Sequence, residues 1–132
     1  MSEFTINRII IGIGSNTDTA DIAVRSAMEW CSETFSNTLA SSVYTTAPVG
    51  MKAIAAGRDY CNGVIAAETQ LSKEDVIDSL KNYEINHGRD ISSRSSGIVP
   101  IDLDLVAYND VILRPMDFER DYFRRGFEEI KI

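Results

Sequence analysis

The segment Val99–Asp110, VPIDLDLVAYND, constrains the fold more than any other. Ile101, Leu103 and Leu105 alternate with Asp102 and Asp104. An extended chain therefore places the three aliphatic side chains on one face and the two carboxylates on the other. The aliphatic face suits a core. The acidic face needs something positive, because two close carboxylates repel and burying either without a partner is costly. A hard divalent cation, an arginine cluster or a backbone turn would each meet that need. The strand by itself does not choose among them.

The rest of the chain supplies the layers around such a strand. Asn7–Gly14, NRIIIGIG, is a β-branched run that reads as a buried strand and closes in the turn signal Gly14-Ser15-Asn16. Ala20, Ala23, Val24, Ala27, Trp30, Cys31 and Phe35 follow helical spacing, with Thr17 or Asp18 as expected N-cap. Ser41–Thr45 is a short strand, residues 47–58 carry Pro48, Gly50 and Gly57 and read as a loop, and Tyr60–Glu68 is a strand. Ser72 and Asp75 form a capping arrangement for a second helix striped by Val76, Ile77, Leu80 and Tyr83, with Gly88 at its C-terminal cap. Residues 90–97, DISSRSSG, are polar. After the acidic strand, residues 117–130 read as a helix or a turn plus helix. The order β-α-β-β-α-β predicts a ferredoxin-like α+β sandwich, a mainly antiparallel sheet with helices on one face and the other face open. The whole of residues 1–132 is expected to form one domain.

Composition narrows the function. Twenty acidic against thirteen basic residues give a net charge of −7, which argues against non-specific nucleic-acid binding. Six arginines nevertheless gather from Arg89 onward, as a site for a small polyanion or a solvated surface would have. No apolar run is long enough for a membrane helix, and the start MSEFTINR has no basic, apolar leader pattern. Cys31 and Cys61 show neither metal spacing nor a disulfide framework. A cytoplasmic protein with two buried thiols is expected.

Five segments taken together give more: IGIGSN (11–16), SSVYTTAPVG (41–50), DYCNGVIAAET (59–69), YEINHGR (83–89) and IDLDLVAYND (101–110). In this order the chain resembles the 6-hydroxymethyl-7,8-dihydropterin pyrophosphokinase family of folate biosynthesis. The resemblance implies transfer of pyrophosphate from ATP to the pterin hydroxymethyl oxygen, with two magnesium ions on Asp102 and Asp104. It implies pterin binding by Thr46, Ala47, Val49, Tyr60, Asn62 and Tyr122, with Tyr60 and Tyr122 as stacking rings and Asn62 on the pyrimidine edge. It implies ATP binding by Glu84, Arg89, Arg94 and Arg120, with Arg94 and Arg120 as the catalytic arginines. Arginine suits that work because it stays charged and forks onto phosphate oxygens, and magnesium prefers hard oxygen ligands completed by water and phosphate.

The chain also departs from the family pattern. A Trp-Gly-Pro-Arg-like segment is replaced by Ser95–Pro100, so that Val99 stands where an arginine is expected. Ile91 takes the place of a second loop arginine, and the Pro-His motif after the acidic strand is missing. Arg114 lies in the shortened connection. The sole histidine, His87, sits near a helix end instead. Three readings follow. The first is a pyrophosphokinase acting on pterin and ATP. The second is a weakened or inactive relative that serves as a pterin- or nucleotide-binding module. The third is an oligomeric ferredoxin-like protein with an open sheet face. A monomer or a homodimer is compatible with each.

Overall fold

The computed structural model describes residues 5–88 and 97–131. The β-branched run forms β1 (Asn7–Ser15), followed by α1 (Ala20–Thr34), β2 (Ser36–Ala40) and β3 (Tyr44–Thr46). A short α2 (Met51–Ala56), β4 (Tyr60–Thr69), α3 (Lys73–Asn86), β5 (Asp102–Tyr108) and β6 (Val111–Ile112) come next. The chain continues through α4 (Pro115–Glu119) and α5 (Asp121–Ile130). The strands make one antiparallel sheet in the order β2-β4-β1-β5-β6, with β3 also on β4. This is the mainly antiparallel α+β arrangement that the element order predicts.

One sheet face carries the main core. Ile9, Ile11 and Ile13 of β1, Ile65 of β4, and Leu103 and Leu105 of β5 meet Val24, Ala27 and Cys31 of α1 and Val76 and Leu80 of α3. Both helices read from periodicity are there, and both cover this face. The Ser72 hydroxyl accepts the Asp75 N–H at 3.1 Å, so the capping arrangement forms. Helix α1 differs at its start: Thr19 is the cap residue and makes no side-chain bond. Of the two expected caps, Thr17 accepts the Ala20 N–H with its carbonyl, and Asp18 pairs with Arg58.

The opposite face is not open along its whole length. Helix α5 lies on it, packing Phe123 and Ile130 against Val64 and Val106. The turn-plus-helix reading of residues 117–130 fits, but the amphipathic helix buries its apolar stripe on the sheet instead of leaving that face free. A β-bulge lies opposite Ile10 and Ile11 of β1, where the β5 register shifts. Beside it, the Val106 carbonyl accepts the N–H of Leu113 at 2.8 Å and of Arg114 at 3.4 Å. This hairpin returns the chain toward the acidic strand and starts α4 with Arg114 as its cap residue.

Besides the short β6, two elements lie where no regular structure was expected. Strand β2 extends the sheet edge, and Ser41 bridges it to β3: its N–H donates to the Val64 carbonyl and its hydroxyl accepts the Val64 N–H, both at 2.9 Å. Helix α2 forms inside the predicted loop 47–58, bounded by Gly50 at φ 95° and Gly57 at φ 70°, conformations that favour glycine. No helix among the described residues is long and apolar enough to cross a membrane.

Candidate active site

Side-chain alternation brings the chemistry onto the α5 side of the sheet, next to that helix. The register sets Asn62, Gly14 and Asp102 in one row across β4, β1 and β5, and Val64, Gly12 and Asp104 in the next. The glycines of IGIG keep the central strand low. A Cβ at Gly14 would stand 3.0 Å from Asn62 Oδ1 and 3.6 Å from the Tyr60 ring, and one at Gly12 would stand 3.4 Å from Phe123. Above these rows opens a cleft of about 200 Å³ whose lining includes Thr46, Ala47, Val49, Tyr60, Asn62 and Tyr122 together with Asp102 and Asp104. All six residues that the family resemblance associates with pterin thus share one hollow with both aspartates.

The cleft walls are held by specific bonds. Asn62 is buried and its Nδ2 donates to Thr46 Oγ1 at 2.6 Å, which fixes the amide. The Tyr122 carbonyl accepts the Tyr44 hydroxyl at 2.6 Å, and the Tyr122 hydroxyl donates to Asp117. Burial and the Asp117 carboxylate both push the Tyr122 phenol up. The turn Ser15-Asn16 does equivalent work below the acidic strand. Asn16, fully buried, donates from Nδ2 to the Gly97 carbonyl at 2.9 Å and accepts the Val99 N–H at 2.5 Å. Ser15 Oγ donates to the Pro100 carbonyl at 2.7 Å. The GSN turn therefore clasps the segment that delivers Asp102.

The electrostatics centre on Asp102, Asp104 and Glu84. One oxygen of each lies within 4.8 Å of the others. Glu84 is buried under the strand, with Oε2 accepting the Leu103 N–H at 2.7 Å. Burial pushes the Asp104 carboxyl up to about 8, and the neighbouring charge of Asp102 adds to this. Glu84 is raised for the same reasons, burial first. Among the described residues, Lys81 Nζ lies 3.9 Å and Arg114 Nη1 3.8 Å from Asp104 Oδ1. A close cluster of three hard carboxylates is the kind of site that suits a divalent cation.

The remaining sequence-predicted residues distribute unevenly. Glu84 stands beside the acidic strand and not in the cleft. Arg120 is exposed at the junction of α4 and α5, outside the cleft lining. Arg89 and Arg94 lie outside the described residues, as does Ile91. Val99, in the arginine's place, has its backbone bound by Asn16. His87 stacks on Tyr83 at 3.8 Å between ring centres, with Nδ1 at 2.8 Å from the Tyr83 carbonyl, as a helix-end residue does.

Sequence reading missed two cleft residues, Asp117 and Phe123, and left Arg114 unplaced. Arg114 lines this cleft and also a second hollow between α3 and β5, formed by Ile77, Leu80, Lys81, Leu103, Leu105 and Leu113. The signal was the Leu-Arg-Pro that ends the β5–β6 hairpin. Arg124 and Arg125 take other work: Arg124 lies over Phe118 and pairs with Glu128, while Arg125 donates to the Thr45 carbonyl at 2.7 Å and covers the Tyr44 ring.

Comparison with known proteins points to one family. The family model described as 7,8-dihydro-6-hydroxymethylpterin-pyrophosphokinase matches residues 10–131. A 2-amino-4-hydroxy-6-hydroxymethyldihydropteridine pyrophosphokinase of Haemophilus influenzae is 33% identical over 107 residues, 79% of this chain and 64% of that protein. A folate synthesis bifunctional protein of Chlamydia trachomatis is 41% identical over 51 residues, 39% of this chain and 11% of that protein. The chain thus spans less than two thirds of the length of either relative.

Proposed function

The chain belongs to the 7,8-dihydro-6-hydroxymethylpterin-pyrophosphokinase family, and from that premise we propose that it transfers pyrophosphate from ATP to 6-hydroxymethyl-7,8-dihydropterin in folate synthesis. The observation that carries the proposal is the single cleft shared by Tyr60, Asn62, Thr46 and Tyr122 with Asp102 and Asp104. A flat, hydrogen-bonding bicycle fits there: Tyr60 and Tyr122 offer ring faces, the buried Asn62–Thr46 pair reads its polar edge, and Ala47 and Val49 close the rim. The ring thus held directs its hydroxymethyl group toward the aspartates. Asp102 and Asp104 would hold magnesium, two ions on this reading, which would neutralise phosphate charge. The second hollow, aliphatic and joined to the cleft through Asp104 and Arg114, suits the base of the nucleotide. Glu84 then acts by fixing the Leu103 backbone, and Arg89, Arg94 and Arg120 are assigned to the phosphates. Positioning and charge stabilisation would supply the rate.

The test is AMP release from ATP and 6-hydroxymethyl-7,8-dihydropterin by the full chain with Mg²⁺. Activity is expected, and Asp102→Ala is expected to lower it by roughly 10²-fold or more, the scale of losing one transition-state charge contact. No AMP, where a family standard releases it, would sink the proposal. Val99 in an arginine's place favours one alternative, a module that binds pterin or nucleotide without turnover. Tight pterin binding without AMP release at any Mg²⁺ concentration would select it.

A further inference from the structure

We infer that Arg114 is a phosphate-binding residue which pairs with Asp104 and passes to a polyphosphate when Asp104 turns to a divalent cation. The inference rests on the reading of Asp102 and Asp104 as metal ligands and adds a role for a residue that reading leaves out. Arg114 borders both hollows, and its side chain is 47% exposed, so it reaches the space between them. It is tethered twice, and unequally. Nε bonds Asp117 closely, whereas Nη1 stands 3.8 Å from Asp104 Oδ1, an ion-pair contact beyond hydrogen-bond length.

The backbone is fixed as well: the Arg114 N–H points to the Val106 carbonyl, and Pro115 follows as the first residue of α4. Asp117 is in turn held by the Tyr122 hydroxyl. The guanidinium is thus anchored at one edge and free to exchange partners at the other. Its planar fork suits phosphate oxygens, and a bound cation would compete with it for the same Asp104 oxygen. Such a residue holds a positive charge at the aspartate until metal and polyphosphate enter together.

The experiment measures binding, not turnover. Mn²⁺ affinity is read by electron paramagnetic resonance on the nucleotide-free full chain, and inorganic triphosphate affinity by calorimetry with Mg²⁺ present. Arg114→Gln is expected to tighten Mn²⁺ about threefold, the worth of a loose, half-exposed ion pair. It is expected to weaken triphosphate about tenfold, the worth of a charge-assisted contact. Either change without the other overturns the inference, as do two unchanged affinities or a loosened Mn²⁺. Asp117→Asn gives an independent reading. The amide oxygen can still accept the Nε–H, but without the carboxylate charge Arg114 bears more strongly on Asp104, so Mn²⁺ affinity should fall, and an unchanged value overturns the inference. Asp102→Ala separates the two levels. Wild-type Mn²⁺ binding that Asp102→Ala abolishes upholds the metal reading whatever Arg114 does. Absence of wild-type Mn²⁺ binding removes that reading and this inference with it.

Discussion

At Gly126 the α5 backbone lies close against Val64 of the sheet, and replacing this glycine by alanine sets two effects of opposite sign against each other. In an unconstrained helix the change would stabilise by about 1 kcal/mol. Here the new Cβ would lie 2.6 Å from Val64 Cγ2, 2.7 Å from the Tyr44 hydroxyl and 3.0 Å from Ser41 Oγ. None of the three yields easily. Val64 is fully buried, Ser41 Oγ holds the Val64 N–H, and the Tyr44 hydroxyl is fixed between the Tyr122 carbonyl and the Gly126 N–H. The helix must therefore lift. Overpacking of this kind costs about 1–3 kcal/mol, and the strained Gly126–Tyr44 bond is worth about 1 kcal/mol more. We expect Gly126→Ala to destabilise the fold by about 1–3 kcal/mol net in urea titration, the packing loss exceeding the propensity gain. Tyr122 sits on the same helix and lines the cleft, so pterin affinity should fall as well. A Gly126→Ala protein as stable as wild type would refute the reasoning, because α5 would then not be pinned to the sheet.

Three further outcomes follow from buried groups. Glu84→Ala removes the acceptor of the Leu103 N–H and should lower stability by about 1–3 kcal/mol, the cost of a buried donor left unpaired; urea titration checks it. Burial pushes the Cys31 thiol up to about 12, so a thiol reagent at pH 8 should leave Cys31 unmodified until denaturant is added, with the modified site read by peptide mass. Burial likewise pushes the Tyr44 phenol up to about 12. Because the unfolded chain releases that proton near pH 10, stability should be full below pH 10 and fall as pH rises toward 12. Tyr44→Phe should flatten part of that slope in urea midpoints measured against pH.

Much of this was legible because it rests on alternation. The β-branched run, the acidic strand and the two periodic helices each carry a pattern that only one secondary structure satisfies, and together they fix the sheet. The same alternation put Tyr60 with Asn62, and Asp102 with Asp104, on one face before any register was known. What escaped reading has no periodic burial behind it. Strand β2 is exposed at four of its five positions, so its sequence SNTLA shows no buried face. Helix α2 shows Met51 and Ile54 to solvent between two left-handed glycines. The cover on the second sheet face was hidden for another reason: its partners on the sheet are few, chiefly Val64 and Val106, spaced between glycines and aspartates. Arg114 depends on the length of a hairpin and the bulge beside it, which motif matching across a shortened connection does not resolve.

The rows through Gly12 and Gly14 make the sheet a ruler. Asn62 and Asp102 flank Gly14 on its two neighbouring strands, so their backbones stand two strand spacings apart, roughly 10 Å. That length is set by main-chain hydrogen bonds and does not depend on any rotamer. A molecule gripped at its polar edge by Asn62 has its far end measured out toward the carboxylates, and one ring fewer or one carbon more would misplace that end. Discrimination by length would then belong to the backbone, and substitutions along the cleft wall could alter grip without altering the gauge.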